Sequence, residues 1–103
     1  MSYFDAIERY RVGDTIDPRV IEDWCADLGV KPSGTLPQTV EELRVRMKRG
    51  NRAATRAVGS AYRAIHDGDF DTAYQLLSAA LERETAPFFR AIYERELAEI
   101  PSD

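Results

Sequence analysis

The chain has very little of the side-chain chemistry on which most enzyme active sites depend. It contains one cysteine, Cys25, and one histidine, His66. A single cysteine excludes an intramolecular disulfide, and one residue of each kind cannot assemble the usual zinc site within one chain. A Cys–His catalytic pair would also need an orienting third group and an oxyanion site, and no motif supplies them. We therefore predict that the protein is not an enzyme and has no catalytic residues, no metal and no cofactor.

Long apolar runs are also missing. No segment approaches the roughly 20 apolar residues that span a bilayer, and the stretch Met1–Asp5 has neither the basic nor the apolar region of a signal peptide. These features predict a cytoplasmic protein with no membrane partner. The 103 residues are 44% hydrophobic and 31% charged, which is typical of one folded domain and not of a disordered chain.

Acidic residues are absent from the middle of the chain. From Leu43 to His66 there are seven basic residues and no acidic one, whereas residues 1–42 and 67–103 carry net charges of −5 and −6. The formal charge of the whole chain is −4. This division predicts either a cationic contact surface or a basic helix surrounded by acidic neighbours, and the sequence leaves both interpretations open.

The first third of the chain contains several helix start and stop signals. An aspartate–proline pair at Asp17 marks a helix start, and Gly29 marks the end of that helix. A shorter helix precedes Gly13. Residues 31–37 include two prolines and a glycine, which predicts a loop. We therefore expect short helices and a Pro/Gly loop over residues 1–38.

The remainder of the chain, residues 39–101, has the clearest helical pattern. Thr39 and Glu42 have the spacing of a capping box, and they precede a run with small or apolar residues every three or four positions. The run predicts one long helix over about 40–66, followed by two helices separated near Pro87. The small and apolar residues form a Gly/Ala-rich seam: Val40, Leu43, Met47, Gly50, Ala54, Ala57, Ala61 and Ala64.

These signals predict an all-α fold. No segment of alternating polarity is long enough to indicate a strand. We expect a single domain over residues 1–103, folded as a compact bundle of about five helices around the long helix. Tyr62 is expected to widen the buried seam, and Leu76 is expected on the buried face of the next helix.

Several short blocks in the second half resemble the DUSAM domain, a paralogous bacterial family of unknown function. Their order and spacing follow the family across residues 43–97. The family carries no established activity, so the resemblance implies no catalytic or binding residue in this chain. The blocks are Leu43–Arg52, Ala61–Arg63, Gly68–Ala73, Leu81–Glu84, Pro87–Arg90 and Glu94–Leu97.

Four arginines of the basic run share one side of the predicted helix. Their spacings are three, four and seven residues. Such a face fits a solvated surface paired with neighbouring acids, a contact with an acidic protein, or a contact with nucleic acid. Nucleic acid fits least well, because the net charge is negative and aromatic residues do not interleave with the arginines. The residues of this face are Arg49, Arg52, Arg56 and Arg63.

We expect a protein-binding module that occludes a partner, in the manner of a regulatory, immunity or antitoxin-like protein. The acidic flanks would suit a basic effector or toxin through electrostatic steering. The alternative is a nucleic-acid-binding or transcriptional regulatory protein that uses the basic face, and a homodimer through the Gly/Ala seam is a third hypothesis. The acidic residues predicted to contact a partner are Glu22, Asp23, Asp27, Glu96 and Glu99.

Overall fold

The structure, a computed structural model, describes residues 5, 8–10, 13, 17–32 and 34–101. Asp5 and residues 8–10 are helical, and no strand occurs in these ranges. The predicted all-α class, with about five helices and one long one, is therefore confirmed. The four helices with defined bounds are α1 (Pro18–Leu28), α2 (Leu36–His66), α3 (Phe70–Arg83) and α4 (Pro87–Glu99).

The chain forms two compact units, Met1–Arg49 and Gly50–Asp103. The boundary between them falls inside α2, so this helix contributes its first part to one unit and its second part to the other. The prediction of a single domain over the whole chain stays a prediction.

The first unit contains α1 and the beginning of α2. The carboxylate of Asp17 accepts a hydrogen bond from the Arg19 backbone N–H at 2.9 Å, and Pro18 occupies the first turn, as predicted. Gly29 ends α1 in the left-handed conformation. Val20 is exposed. Among its described residues, the buried side chains are Ile21, Trp24, Cys25 and Leu28 on α1, with Thr39, Val40, Leu43 and Met47 on α2.

The start of α2 differs from the prediction. The helix begins at Leu36, and a capping box forms one turn earlier than expected. The Thr35 backbone N–H donates to Gln38 Oε1 at 2.9 Å, and the Gln38 N–H donates to Thr35 Oγ1 at 3.4 Å. Pro37 lies in the first turn, where no backbone N–H is required. The predicted loop therefore ends before Leu36, and Thr39 is a buried helical residue.

The second unit begins with the rest of α2 and turns at Gly68. The Asp69 N–H donates to Ala64 O at 2.8 Å, and the Gly68 N–H donates to Ile65 O at 3.0 Å. This pair of hydrogen bonds defines a Schellman motif. This motif requires a left-handed residue, and Gly68 has φ of +79°. Asp69 then caps α3, because its Oδ1 accepts from the Thr72 N–H at 3.2 Å.

The core of the second unit is built mainly by α3 and α4, which pack against each other. Phe89 and Tyr93 are its largest fully buried side chains. The Phe89 ring occupies the space that a side chain at position 50 would fill. Two predictions about this core are wrong: Leu76 is 37% exposed and Tyr62 is 51% exposed. The smaller buried residues are Ala54, Ala61, Ala73, Leu77, Ala80 and Ala86.

Arg90 connects α4 to the end of α3. Its Nη1 donates to Leu81 O and to Glu84 O, both at 2.9 Å. We expect Arg90→Met to lower the free energy of unfolding by about 1–2 kcal/mol, because methionine keeps the apolar stem but leaves these carbonyls without the donor. Urea unfolding measures the difference. Arg56→Met, at an exposed helical position, should change it by no more than about 0.5 kcal/mol. Equal values for the two variants would contradict the proposed bridge.

Candidate partner-binding surfaces

The arginine face consists of Arg49, Arg52, Arg56 and Arg63, and all four side chains are exposed. Arg49 is the last residue of the first unit, and the other three belong to the second. With 3.6 residues per turn, these three arginines fall within about 40° of one another around the axis of α2. The buried Ala54 and Ala61 lie on the opposite side of the same helix. The predicted exposure of this face follows from its position opposite the seam.

Within the described ranges, the charges of this face have few partners. Among the described residues, the side chains of Arg52 and Arg56 form no ion pair and no hydrogen bond. Arg63 Nη2 donates to Ser60 Oγ, a neutral group, at 3.3 Å. The described part of the chain therefore does not show acids on neighbouring helices pairing with these arginines.

Arg44 shows how an arginine of the basic run is neutralised when an acid is within reach. It forms a two-pronged contact with Glu41 on the same helix, in which Nε donates to Oε2 at 3.0 Å. The spacing of three residues brings the two side chains together. No acidic residue follows until Asp67, so Arg52 and Arg56 have no equivalent partner on α2.

The predicted acidic contact residues differ in exposure. Glu22 and Asp23 are exposed on α1, and Asp27 is half-buried. Glu99 is exposed near the end of α4. Glu96, in contrast, is only 8% exposed. A partner could reach Glu22, Asp23 and Glu99 in this structure without rearrangement, but not Glu96.

The buried Glu96 carboxylate pairs with Tyr62. The Tyr62 hydroxyl donates to Glu96 Oε2 at 2.7 Å, joining α2 to α4 within the second unit. This hydrogen bond, with smaller effects from burial and from the nearby carboxylates, raises the pKa of Tyr62. Arg95 Nη2 lies 3.8 Å from Glu96 Oε1. Sequence reasoning missed the pair because its members are 34 residues apart and no local pattern connects them.

Cys25 lies in the core of the first unit. Its side chain is buried, and burial, with a smaller effect from the charge of Glu42, raises the pKa of the thiol. A buried neutral thiol is a poor nucleophile at pH 7. His66 is exposed in the last turn of α2. The positions that the structure describes contain no group of three or more His, Cys, Asp or Glu side chains placed to hold a metal ion.

Across the described positions, every helix is either too short or too polar to cross a bilayer.

Comparison with known proteins identifies a family. A family model described as "Protein of unknown function (DUF2379)" matches residues 15–100. The chain belongs to this family. The matched region contains all of α1 to α4 and the complete arginine face, and it also contains the DUSAM-like blocks of residues 43–97. No curated protein and no solved structure matches the chain.

Proposed function

We propose that this DUF2379 domain is a non-catalytic protein-binding module whose arginine face contacts an acidic surface of a partner protein. The main support is the arrangement of Arg52, Arg56 and Arg63 on α2. They are exposed, they lie opposite the buried side of the helix, and no described acidic side chain pairs with them. Guanidinium groups in such a row suit two-pronged contacts with carboxylates.

A second version of the protein-binding hypothesis, which uses acidic residues in place of the arginine face, makes the domain a regulatory or immunity protein that occludes a basic effector or toxin. The net charge of −4 and the exposed carboxylates of Glu22, Asp23 and Glu99 support it, because they would steer a basic partner towards the domain. Asp27 contributes less because it is half-buried, and Glu96 does not contribute. Location in the cytoplasm and homodimerisation stay predictions from the sequence.

We also infer that the DUSAM domain and this family describe the same group of bacterial helical domains. All the DUSAM-like blocks, within residues 43–97, lie inside the matched region 15–100. Family members that lack these blocks at corresponding positions would contradict this inference.

The arginine face can be tested by comparing two charge-reversal variants as baits. Arg52→Glu/Arg56→Glu should lose a partner protein that the wild type captures from a lysate of the source organism. Once the partner is purified, we expect its affinity to fall at least about tenfold, because two attractive contacts become repulsive. Arg19→Glu/Arg83→Glu is the matched control: both arginines are exposed, the net charge changes equally, and neither position belongs to the face.

Nuclease treatment of the lysate separates the two candidate partner classes. A partner that survives nuclease, is retained by the control variant and is lost by the arginine-face variant supports the proposal. Nucleic acid captured by the wild type, with an affinity that falls steeply as salt is added, would establish the nucleic-acid alternative instead. Equal capture by both variants would show that the arginine face is not the binding site. Circular dichroism verifies that each variant is folded.

A further inference from the structure

The second unit has a groove that the arginine face does not line. It lies between the first turns of α3 and the end of α4, with a volume of about 620 Å³. This is within the size range of sites that hold a small ligand or a few side chains. The lining residues that matter here are Asp69, Phe70, Asp71 and Tyr74 on one side, with Leu97 and Ile100 on the other.

Aromatic and apolar side chains form part of the groove wall, beside the carboxylates of Asp69 and Asp71. Tyr74 is 58% exposed, which is unusually open for so large a ring, and Phe70, Leu97 and Ile100 are half-buried. An exposed aromatic face attracts cations, and the apolar walls can contact the methylene stem of a long side chain.

Two carboxylates give the groove its charge. Asp69 accepts hydrogen bonds from the Thr72 hydroxyl at 2.6 Å and from the Thr72 backbone N–H at 3.2 Å, and these bonds lower the pKa of Asp69. Asp71 is exposed in the first turn of α3, and its carboxylate has no ion pair or hydrogen bond with any described residue. An anionic ligand is disfavoured, since Asp69 and Asp71 already occupy the helix N-terminus that would attract it.

We propose that this groove binds an arginine or lysine side chain from a basic segment of a partner protein. Charge complementarity and shape both favour this occupant: the carboxylates pair with the cationic head, while Tyr74, Leu97 and Ile100 contact the stem. The inference does not depend on the arginine face, because it concerns other residues and a partner surface of opposite charge.

Titration of the ¹⁵N-labelled protein with a capped tetra-arginine peptide tests the proposal, with backbone amide NMR shifts as the readout. We expect the shifts to concentrate at residues 68–74 and 97–101. The matched probe is the same peptide with citrulline in place of arginine, which keeps the shape but removes the charge. It should cause much smaller shifts at the same positions.

Substitutions on α3 test which side chains bind the peptide. Asp71→Asn combined with Tyr74→Leu should weaken tetra-arginine binding about tenfold, because it removes the free carboxylate and the aromatic face. Glu82→Gln removes a carboxylate from an exposed position of α3 outside the groove and should leave the affinity within about twofold of wild type.

Three results would overturn the proposal. Shifts distributed over distant acids such as Glu22 would mean that the peptide binds by net charge alone. Equal binding of the citrulline peptide would exclude a cation site. Self-association of the protein without peptide, abolished by Asp71→Asn/Tyr74→Leu, would assign the groove to a second copy of the chain and not to a separate partner.

Discussion

Replacing Phe89 with alanine is expected to lower the free energy of unfolding by about 3–5 kcal/mol. The side chain is 0% exposed, and its ring meets Phe88 edge-to-face at a centroid distance of 5.0 Å. Alanine would lose the transfer free energy of the ring and leave a cavity between α4 and α2, because the surrounding helices can collapse only partly. A loss of this size is a large fraction of the roughly 5–15 kcal/mol by which folded domains are stable.

Phe88 provides the matched control because it is the same residue type one position earlier. Its side chain is 37% exposed, so Phe88→Ala should cost only about 1 kcal/mol. Urea unfolding followed by circular dichroism at 222 nm measures both variants. Similar losses of stability for the two variants would mean that the buried and exposed sides of α4 are assigned incorrectly.

The sequence predicts the helices of this fold well because their signals are local. The Asp17 cap and the Gly29 stop each depend on residues within a few positions, and the structure confirms both. The seam on α2 is also confirmed at most positions, since a period between three and four determines which side of a long helix is apolar. The start of α2 differs from the prediction because the sequence offers two capping boxes within eight residues, and the helix begins at the first, Thr35 with Gln38.

The candidate surfaces were predictable only in part. Exposure of the four arginines follows from their spacing along one helix. Whether acids neutralise them depends on neighbouring helices, which sequence spacing does not specify. The burial of Glu96 could not be predicted for the same reason, because its partner Tyr62 lies on another helix. The groove could not be predicted, since it exists only where the start of α3 meets the end of α4.

Gly50→Ala should destabilise the protein although alanine is the better helix former. A methyl group at position 50 would lie within 2.6 Å of three carbons of the buried Phe89 ring, so one of them must move. We expect a loss of about 1–3 kcal/mol from this overpacking. Gly59→Ala is the control on the same helix: no atom lies within 4 Å of the added methyl group. It should raise the free energy of unfolding by about 0.5–1 kcal/mol, from helix propensity alone.

Combining Gly50→Ala with Phe89→Ala identifies the Phe89 ring as the cause of the destabilisation. When alanine replaces Phe89, the methyl group at position 50 no longer meets an aromatic ring. Only the higher helix propensity of alanine over glycine then affects stability. Gly50→Ala should therefore change from destabilising in the wild type to neutral or stabilising in the Phe89→Ala background. The double-mutant cycle should give a coupling of about 1–3 kcal/mol between the two sites. An equal cost in both backgrounds would mean that Gly50 is required for a reason other than the close approach of Phe89.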